Sequence, residues 1–289
     1  MSHLRIRCCP SCRSSQFCES SYAADVFSAA FYAIKCYNLL LKMFLCFSWR
    51  ECVVETILVD LDGVLAKKNL PRLLAMYNDV LNLAIPAEQL ARVMSLEAFH
   101  ALPQARSHYE TVGAARYQYQ LELLRFHPYH IASCQLVDGA LQSVHYLTRR
   151  CDALRYCTAR VINFHPQWNA DVARCTQIWL KNSGFPNADK IFFCDGPKVK
   201  LTTIAAMVRE QSQRVLLIDD SLEKLLDAFD ELPEDDQRLL REYLTLAAFG
   251  YNYDECDLEG TLPVIPFPNW SEVHNLAVNR PVGKEVNRL

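Results

Sequence analysis

Two aspartates one residue apart, Asp60 and Asp62, are the residues whose type and placing most clearly promise chemistry. They follow Thr56-Ile57-Leu58-Val59, a strand-forming and nearly uninterrupted hydrophobic run, and Gly63 comes directly after them. That is how a buried parallel strand ends in a loop. The carboxylates therefore stand at the carboxyl end of a strand, the edge of an open α/β sheet where ligands bind. Alternate side chains of an extended strand share a face, so Asp60 and Asp62 can flank one small site. A second acidic strand end lies far along the chain, where Val215-Leu216-Leu217-Ile218 runs into Asp219-Asp220-Ser221. Two adjacent carboxylates repel each other, at a cost in stability unless a cation or lysine lies between them and the other acids. The pattern points to Mg²⁺, a hard cation that prefers oxygen ligands. The plain alternative is an acidic turn after an edge strand, because Asp and Gly are common turn residues.

The elements that must position these acids can be read in order. Between Leu65 and about Cys134 the hydrophobic residues keep helix spacing three times over. Leu70, Leu73, Leu74, Tyr77, Val80 and Leu81 do so around Pro71, which a first turn tolerates. Leu90, Val93, Met94 and Ala98 repeat the spacing, as do Ala114, Tyr117, Leu121 and Leu124. Asp138 is expected to cap a helix carrying Leu141, Val144 and Leu147. A short strand from Ala153 to Cys157 ends in Thr158-Ala159-Arg160, and a helix with Trp168, Val172, Cys175, Ile178 and Trp179 leads to a third strand, Ile191 to Cys194. Asp195-Gly196-Pro197-Lys198-Val199-Lys200 then enters a helix carrying Leu201, Ile204, Ala205 and Val208. The final strand expected is Leu244 to Phe249, before a loop rich in Pro and acidic residues and a short helix at Ser271 to Ala277.

Val59-Asp60-Leu61-Asp62-Gly63-Val64-Leu65 resembles the first motif of the haloacid dehalogenase (HAD) superfamily, a hydrophobic strand ending in Asp-x-Asp-Gly-x. Thr158 resembles the second motif, whose hydroxyl and neighbouring backbone N–H bind the transferring phosphoryl group; Ala159 and Arg160 would then be further substrate contacts. The third motif is a lysine at a helix entry, and Lys198 and Lys200 both qualify. Lys198 is preferred because it follows the Gly-Pro turn directly and lies 21 residues before Asp219, which leaves Lys200 as a solvated helix residue or substrate contact. Asp219-Asp220 resembles the fourth motif in its Asp-Asp form. The resemblance covers about residues 54 to 279.

It implies an α/β fold, a doubly wound parallel sheet (HAD-like, Rossmannoid) with a helical cap subdomain. The core would comprise residues 54–66 and 135–280, the cap 67–134 and a tail 281–289, with residues 1–53 as a cysteine-rich, amphipathic segment outside the core. The implied activity is Mg²⁺-dependent hydrolysis of a small phosphate monoester. Asp60 would be the nucleophile that forms an aspartyl-phosphate, and Asp62 would protonate the leaving oxygen and then activate water. The metal would be held by Asp60, the Asp62 carbonyl, Asp219 and Asp220. An acid at position 62 fits phosphate esters, whereas HAD dehalogenases act on carbon and lack this arrangement. Trp179-Leu180, followed by Gly184-Phe185-Pro186, is similar to segments of nucleotidase-like HAD phosphatases, so a nucleotide stays open as the substrate. Two other readings stay open as well: a phosphotransferase or mutase using the same aspartyl-phosphate, and a catalytically silent binding protein that keeps the fold.

The 289 residues, 51% of them hydrophobic, suffice for one large core with a smaller insert. A net charge of -3 without a basic stripe argues against nucleic acid as a partner. Seven of the 13 cysteines precede the first strand, and the rest show no framework spacing, which favours a reducing compartment and a cytoplasmic location. Cys9-Pro-Ser-Cys12 has the spacing of half a zinc knuckle, but no second pair follows. Residues 22–49 are apolar, yet Lys35 and Lys42 interrupt them before a spanning length of roughly 20 residues is reached. Three readings compete for this segment: an organelle-targeting or membrane-contacting helix, an extra helix packed on the enzyme, and sequence outside the working protein.

Overall fold

The computed structural model describes residues 54–161, 166–252 and 262–276. The cysteine-rich and amphipathic stretch of residues 1–53, with the readings attached to it, lies outside these, as does the tail. Eight strands run through the described residues: β1 (Thr56–Asp60), β2 (Ala66–Lys67), β3 (Gln135–Leu136), β4 (Ala153–Thr158), β5 (Ile191–Phe193), β6 (Val215–Asp219), β7 (Leu244–Phe249) and β8 (Val264–Phe267). Six of them form one sheet in the order β5-β4-β1-β6-β7-β8, with every pairing parallel. The chain fills the sheet outward from β1 to β5, then returns to the other side of β1 for β6, β7 and β8. That reversal makes the crevice beyond the carboxyl ends of β1 and β6 the topological switch point, where doubly wound sheets bind ligands.

Helices cover both faces of the sheet, so β1 and β6 are buried at every position and read as continuous hydrophobic runs. Ile57, Val59, Leu216 and Ile218 face one layer, with Val144, Val172, Trp179 and Trp270. Leu58 and Leu217 face the other, with Leu201, Ile204, Val208, Phe229 and Leu240. Each such side chain contributes about 1.5–3 kcal/mol by leaving water. The alternation also sets the face of the acids. Asp60 and Asp219 share the parity of Leu58 and Leu217, so they point toward the layer that holds the Gly196–Gln211 helix.

Between β2 and β3 the described chain is helical throughout, in six helices from Leu70–Val80 to Pro128–Ser133. They gather their own cluster of buried residues, including Leu73, Leu74, Tyr77, Phe99, Tyr117 and Leu124. β2 and β3 pair antiparallel, Ala66 with Leu136 and Lys67 with Gln135, so the chain enters and leaves this region side by side. The segments expected as one helix around Leu90 to Ala98 are two short ones, Ala87–Leu90 and Leu96–His100, because Ser95 caps the second with its side chain and restarts the helix. Pro103–Val112 is a further helix that the hydrophobic spacing does not show.

Three other expectations change. β8 forms from Val264-Ile265-Pro266-Phe267, which the sequence reads as a proline-rich loop; it is an edge strand, where a proline costs no ladder hydrogen bond. Asp138 does not cap its helix. Gly139, in the left-handed region, takes the cap position of Ala140–Thr148, and the Asp138 carboxylate pairs with Lys67 at the surface. The last helix is a 3₁₀ segment, Trp270–Asn275, rather than a helix from Ser271 to Ala277. Cys134, Cys157, Cys175 and Cys194 are free thiols. Among the described residues, no helix is long and apolar enough to cross a membrane.

Candidate active site

The carboxyl ends of β1 and β6 bring the two acidic motifs together. Val59 is level with Ile218 in the ladder, so the residues that follow them, Asp60 and Asp219, end their strands side by side. The ammonium of Lys200 lies between them, with Nζ 2.8 Å from Oδ1 of Asp60 and 2.6 Å from Oδ2 of Asp219. All three side chains are nearly sealed from solvent. Asp220 completes the group: Asp60, Asp219 and Asp220 each offer a carboxylate oxygen, and these lie within 4.8 Å of one another.

The structure thus corrects the preference between the two lysines. Lys198 sits on the exposed side of the Gly196–Gln211 helix and pairs with Glu231 at 3.1 Å, away from the acids. Lys200 precedes the buried Ile204 by four residues and Val208 by eight, so it shares their face and is carried into the site. The signal was present in the helical phase. Proximity to the Gly-Pro turn outweighed it.

Asp62 has a different partner. Nε and Nη2 of Arg160 donate to its two oxygens at 2.9 and 2.7 Å, a bidentate pairing, and Nη1 of Arg160 donates to Thr176 Oγ1 at 3.2 Å. Arg160 is only 2% exposed, so it is a structural clamp on Asp62 and not a loop cation. Burial by itself raises the Asp62 carboxyl, but the charge and hydrogen bonds of Arg160 outweigh it and hold the pKa below the ordinary value, with help from Arg125 and Lys68. An Asp62 already protonated for a leaving oxygen is therefore not what this geometry contains. It holds an ionised carboxylate.

Thr158 ends β4 fully buried, and it does not line the cavity above the site; Ala159 and Arg160 do. Its Oγ1 has no hydrogen-bond partner among the described residues. A buried hydroxyl left unpaired calls for an explanation, and a ligand at the strand end would supply one.

The electrostatics around Asp60 bear on a metal. Burial raises its carboxyl to about 8 against the opposing pull of Lys200, and the neighbouring Asp219 and Asp62 push the same way. Asp220 is also raised, by burial and then by Asp219. Burial opposes the charge on Lys200, yet Cys157, Asp60 and Asp219 together hold its pKa well above the ordinary lysine value. With all three carboxyls ionised, as a bound cation would keep them, three carboxylates against one ammonium would leave an excess equal to the charge of one divalent cation. All three ligands would be oxygens, the donor type that Mg²⁺ prefers. Gly63 fits the same arrangement: its φ of +87° suits glycine, and a Cβ there would overlap the Asp220 carboxylate. The donor set therefore fits Mg²⁺, with Asp60, Asp219 and Asp220 as the residues to hold it.

A cavity of about 480 Å³ opens above these acids, within the range of small-molecule sites. Its lining also contains residues that the sequence did not single out: Lys67, Lys68, Arg125 and His130. They come from the segment around β2 and from the helices between β2 and β3, and no local pattern marks them. His130 is 4% exposed and its Nδ1 has no hydrogen-bond partner among the described residues. Burial, and then the charge of Arg160, depress it to about 4, so the ring is neutral at physiological pH.

No family model matches the chain, and no curated protein matches it. Solved structures resemble it in fold. A HAD-hydrolase from Bacillus subtilis, YfnB, bound to magnesium, is 15% identical with a TM-score of 0.43, over 78% of this chain and 99% of that one. A HAD-superfamily hydrolase of subfamily IA from Geobacter sulfurreducens is 15% identical with a TM-score of 0.45, over 78% and 98%. A 2-haloacid dehalogenase from Pseudomonas syringae is 13% identical with a TM-score of 0.42, over 78% and 99%. These are likenesses of shape at low identity, and neither magnesium nor a halogenated substrate carries over from them to this chain.

Proposed function

We propose that the protein is a HAD-type, Mg²⁺-dependent phosphatase that hydrolyses a small phosphate monoester through an aspartyl-phosphate on Asp60. The observation that supports this reading best is the set of four charged groups at one strand-end crevice: Asp60, Asp219 and Asp220 with the Lys200 ammonium between the first two. Oδ1 of Asp60 is tied to Lys200, which leaves Oδ2 as the atom to attack phosphorus. The P–O bond to the leaving oxygen breaks as the bond to Oδ2 forms. Lys200 holds the nucleophile in place and offsets the charge that collects around it. Bound Mg²⁺ would supply Lewis-acid stabilisation of the phosphoryl oxygens.

The second half of the cycle suits Asp62 as it stands. An ionised carboxylate can take a proton from the water that attacks the aspartyl-phosphate, releasing inorganic phosphate and restoring Asp60. To give a proton to the leaving oxygen in the first half, Asp62 must first take one up from solvent, which requires its contact with Arg160 to loosen; otherwise the leaving oxygen takes its proton from water.

Asp60→Asn tests the reading with the least disturbance, because asparagine keeps the volume and still accepts a hydrogen bond from Lys200. Phosphate release from p-nitrophenyl phosphate and a panel of natural esters, with Mg²⁺ present, should fall by at least about 10³-fold while the circular dichroism spectrum is unchanged. Turnover close to that of the wild type by folded Asp60→Asn protein would remove Asp60 as nucleophile.

A further inference from the structure

The cavity has two chemically different sides. Its floor is the acid and lysine group just described. Its lining also includes Lys68 and Arg125, neither of which forms an ion-pair contact among the described residues, although the charge of each reaches Asp62; Arg125 stacks over the Phe126 ring at 5.2 Å. Beside them is His130, a buried imidazole that lines the cavity with part of its side chain, its Nδ1 sealed from solvent. The two cations act on Asp62 and on His130, whereas the groups that dominate at Asp60 are Lys200, Asp219 and Asp62. Lys68 and Arg125 thus act on the Asp62 part of the site, and they come from the segment after β2 and from the helix ending at Arg125, not from the strand ends that hold the acids. On the phosphatase reading the Asp62 part is the side of the leaving group.

Unpaired cations facing a concave site attract and hold an anion. We propose that the leaving group is itself anionic: the substrate is a phosphomonoester with a second negatively charged group, held by Lys68 and Arg125. This rests on the phosphatase reading and narrows it, setting such esters apart from those of neutral alcohols. A guanidinium and an ammonium together can grip a carboxylate or a second phosphate through charge-assisted hydrogen bonds.

The test compares 3-phosphoglycerate with glycerol 3-phosphate, which share a carbon frame and differ by one carboxylate, using the full chain with Mg²⁺. The wild type should favour 3-phosphoglycerate in kcat/KM by about tenfold or more, the value of a hydrogen bond to a charged group. Arg125→Gln and Lys68→Gln should each shrink that ratio, and the double variant should bring it close to one. A wild-type ratio near one overturns the proposal, as does an equal loss on both glycerol-derived esters in the Arg125 and Lys68 variants, which would place these cations on the transferred phosphoryl group. Absence of phosphate release from both esters and from p-nitrophenyl phosphate would instead overturn the phosphatase reading beneath it.

Discussion

Lys200 shows how much one side chain decides. Its ammonium bonds to Asp60 and Asp219, with no more than a tenth of any of the three side chains exposed. Removing one partner from such a buried group leaves uncompensated charge, which costs about 3–5 kcal/mol. Lys200→Ala should therefore destabilise the metal-free protein by an amount of that order in urea titration and abolish phosphate release. Lys198→Ala removes only an exposed pair with Glu231 and should change stability by less than about 1 kcal/mol, with activity retained. If the Lys198 variant is the inactive one, the lysine assignment is reversed.

At the scale of elements, the loop after β1 is held by a segment more than 200 residues away in sequence. Trp270, at the start of the 3₁₀ helix, is 1% exposed and donates its indole N–H to the carbonyl of Val64 at 2.8 Å. Its own carbonyl accepts from the Ser143 hydroxyl, and its ring packs against Phe249 and Phe267. The indole thus fixes a backbone position two residues beyond Asp62. Trp270→Phe keeps most of the packing but leaves the Val64 carbonyl buried and unpaired, at about 1–3 kcal/mol. A fall of several degrees in Tm and a lower kcat should follow, both visible in a thermal scan and a steady-state assay. An unchanged kcat alongside a lower Tm would mean that the loop keeps its shape without the indole.

For the molecule as a whole, the unbalanced acids couple metal, pH and stability. The Asp60 carboxyl is raised to about 8 in the fold from an ordinary value of 3.8, so between those pH values the folded state binds a proton that the unfolded chain has lost. Stability from this group consequently declines as pH rises from about 4 to about 8 and levels off above. If Mg²⁺ is the cation of this site, it binds the native state and not the unfolded chain, and it should raise Tm with concentration. The rise should be larger at pH 8 than at pH 5, where the metal must displace a proton from Asp60. Asp220→Ala should blunt the effect, and Asp60→Asn should remove the pH dependence assigned to that carboxyl. Thermal scans with no response to Mg²⁺ at either pH would show that the acids hold no cation.

What the sequence determined by itself is local in origin. Buried parallel strands announce themselves as unbroken apolar runs, and acids placed directly after such runs must stand at the ligand-binding edge, so Asp60, Asp62, Asp219 and Asp220 were legible together with the α/β fold. Lys200 was legible in principle, through helical phase alone. The edge strand β8 was hidden by Pro266, since only its position at the border of the sheet makes the proline harmless. The clamp of Arg160 on Asp62 spans 98 residues of sequence, and Lys68, Arg125 and His130 meet it from another region of the chain. No periodicity records such meetings. Tertiary packing alone brings those groups within the few ångströms over which hydrogen bonds and buried charges act, and so tertiary structure decided which lysine faces Asp60, that Arg160 clamps Asp62, and which charges line the cavity.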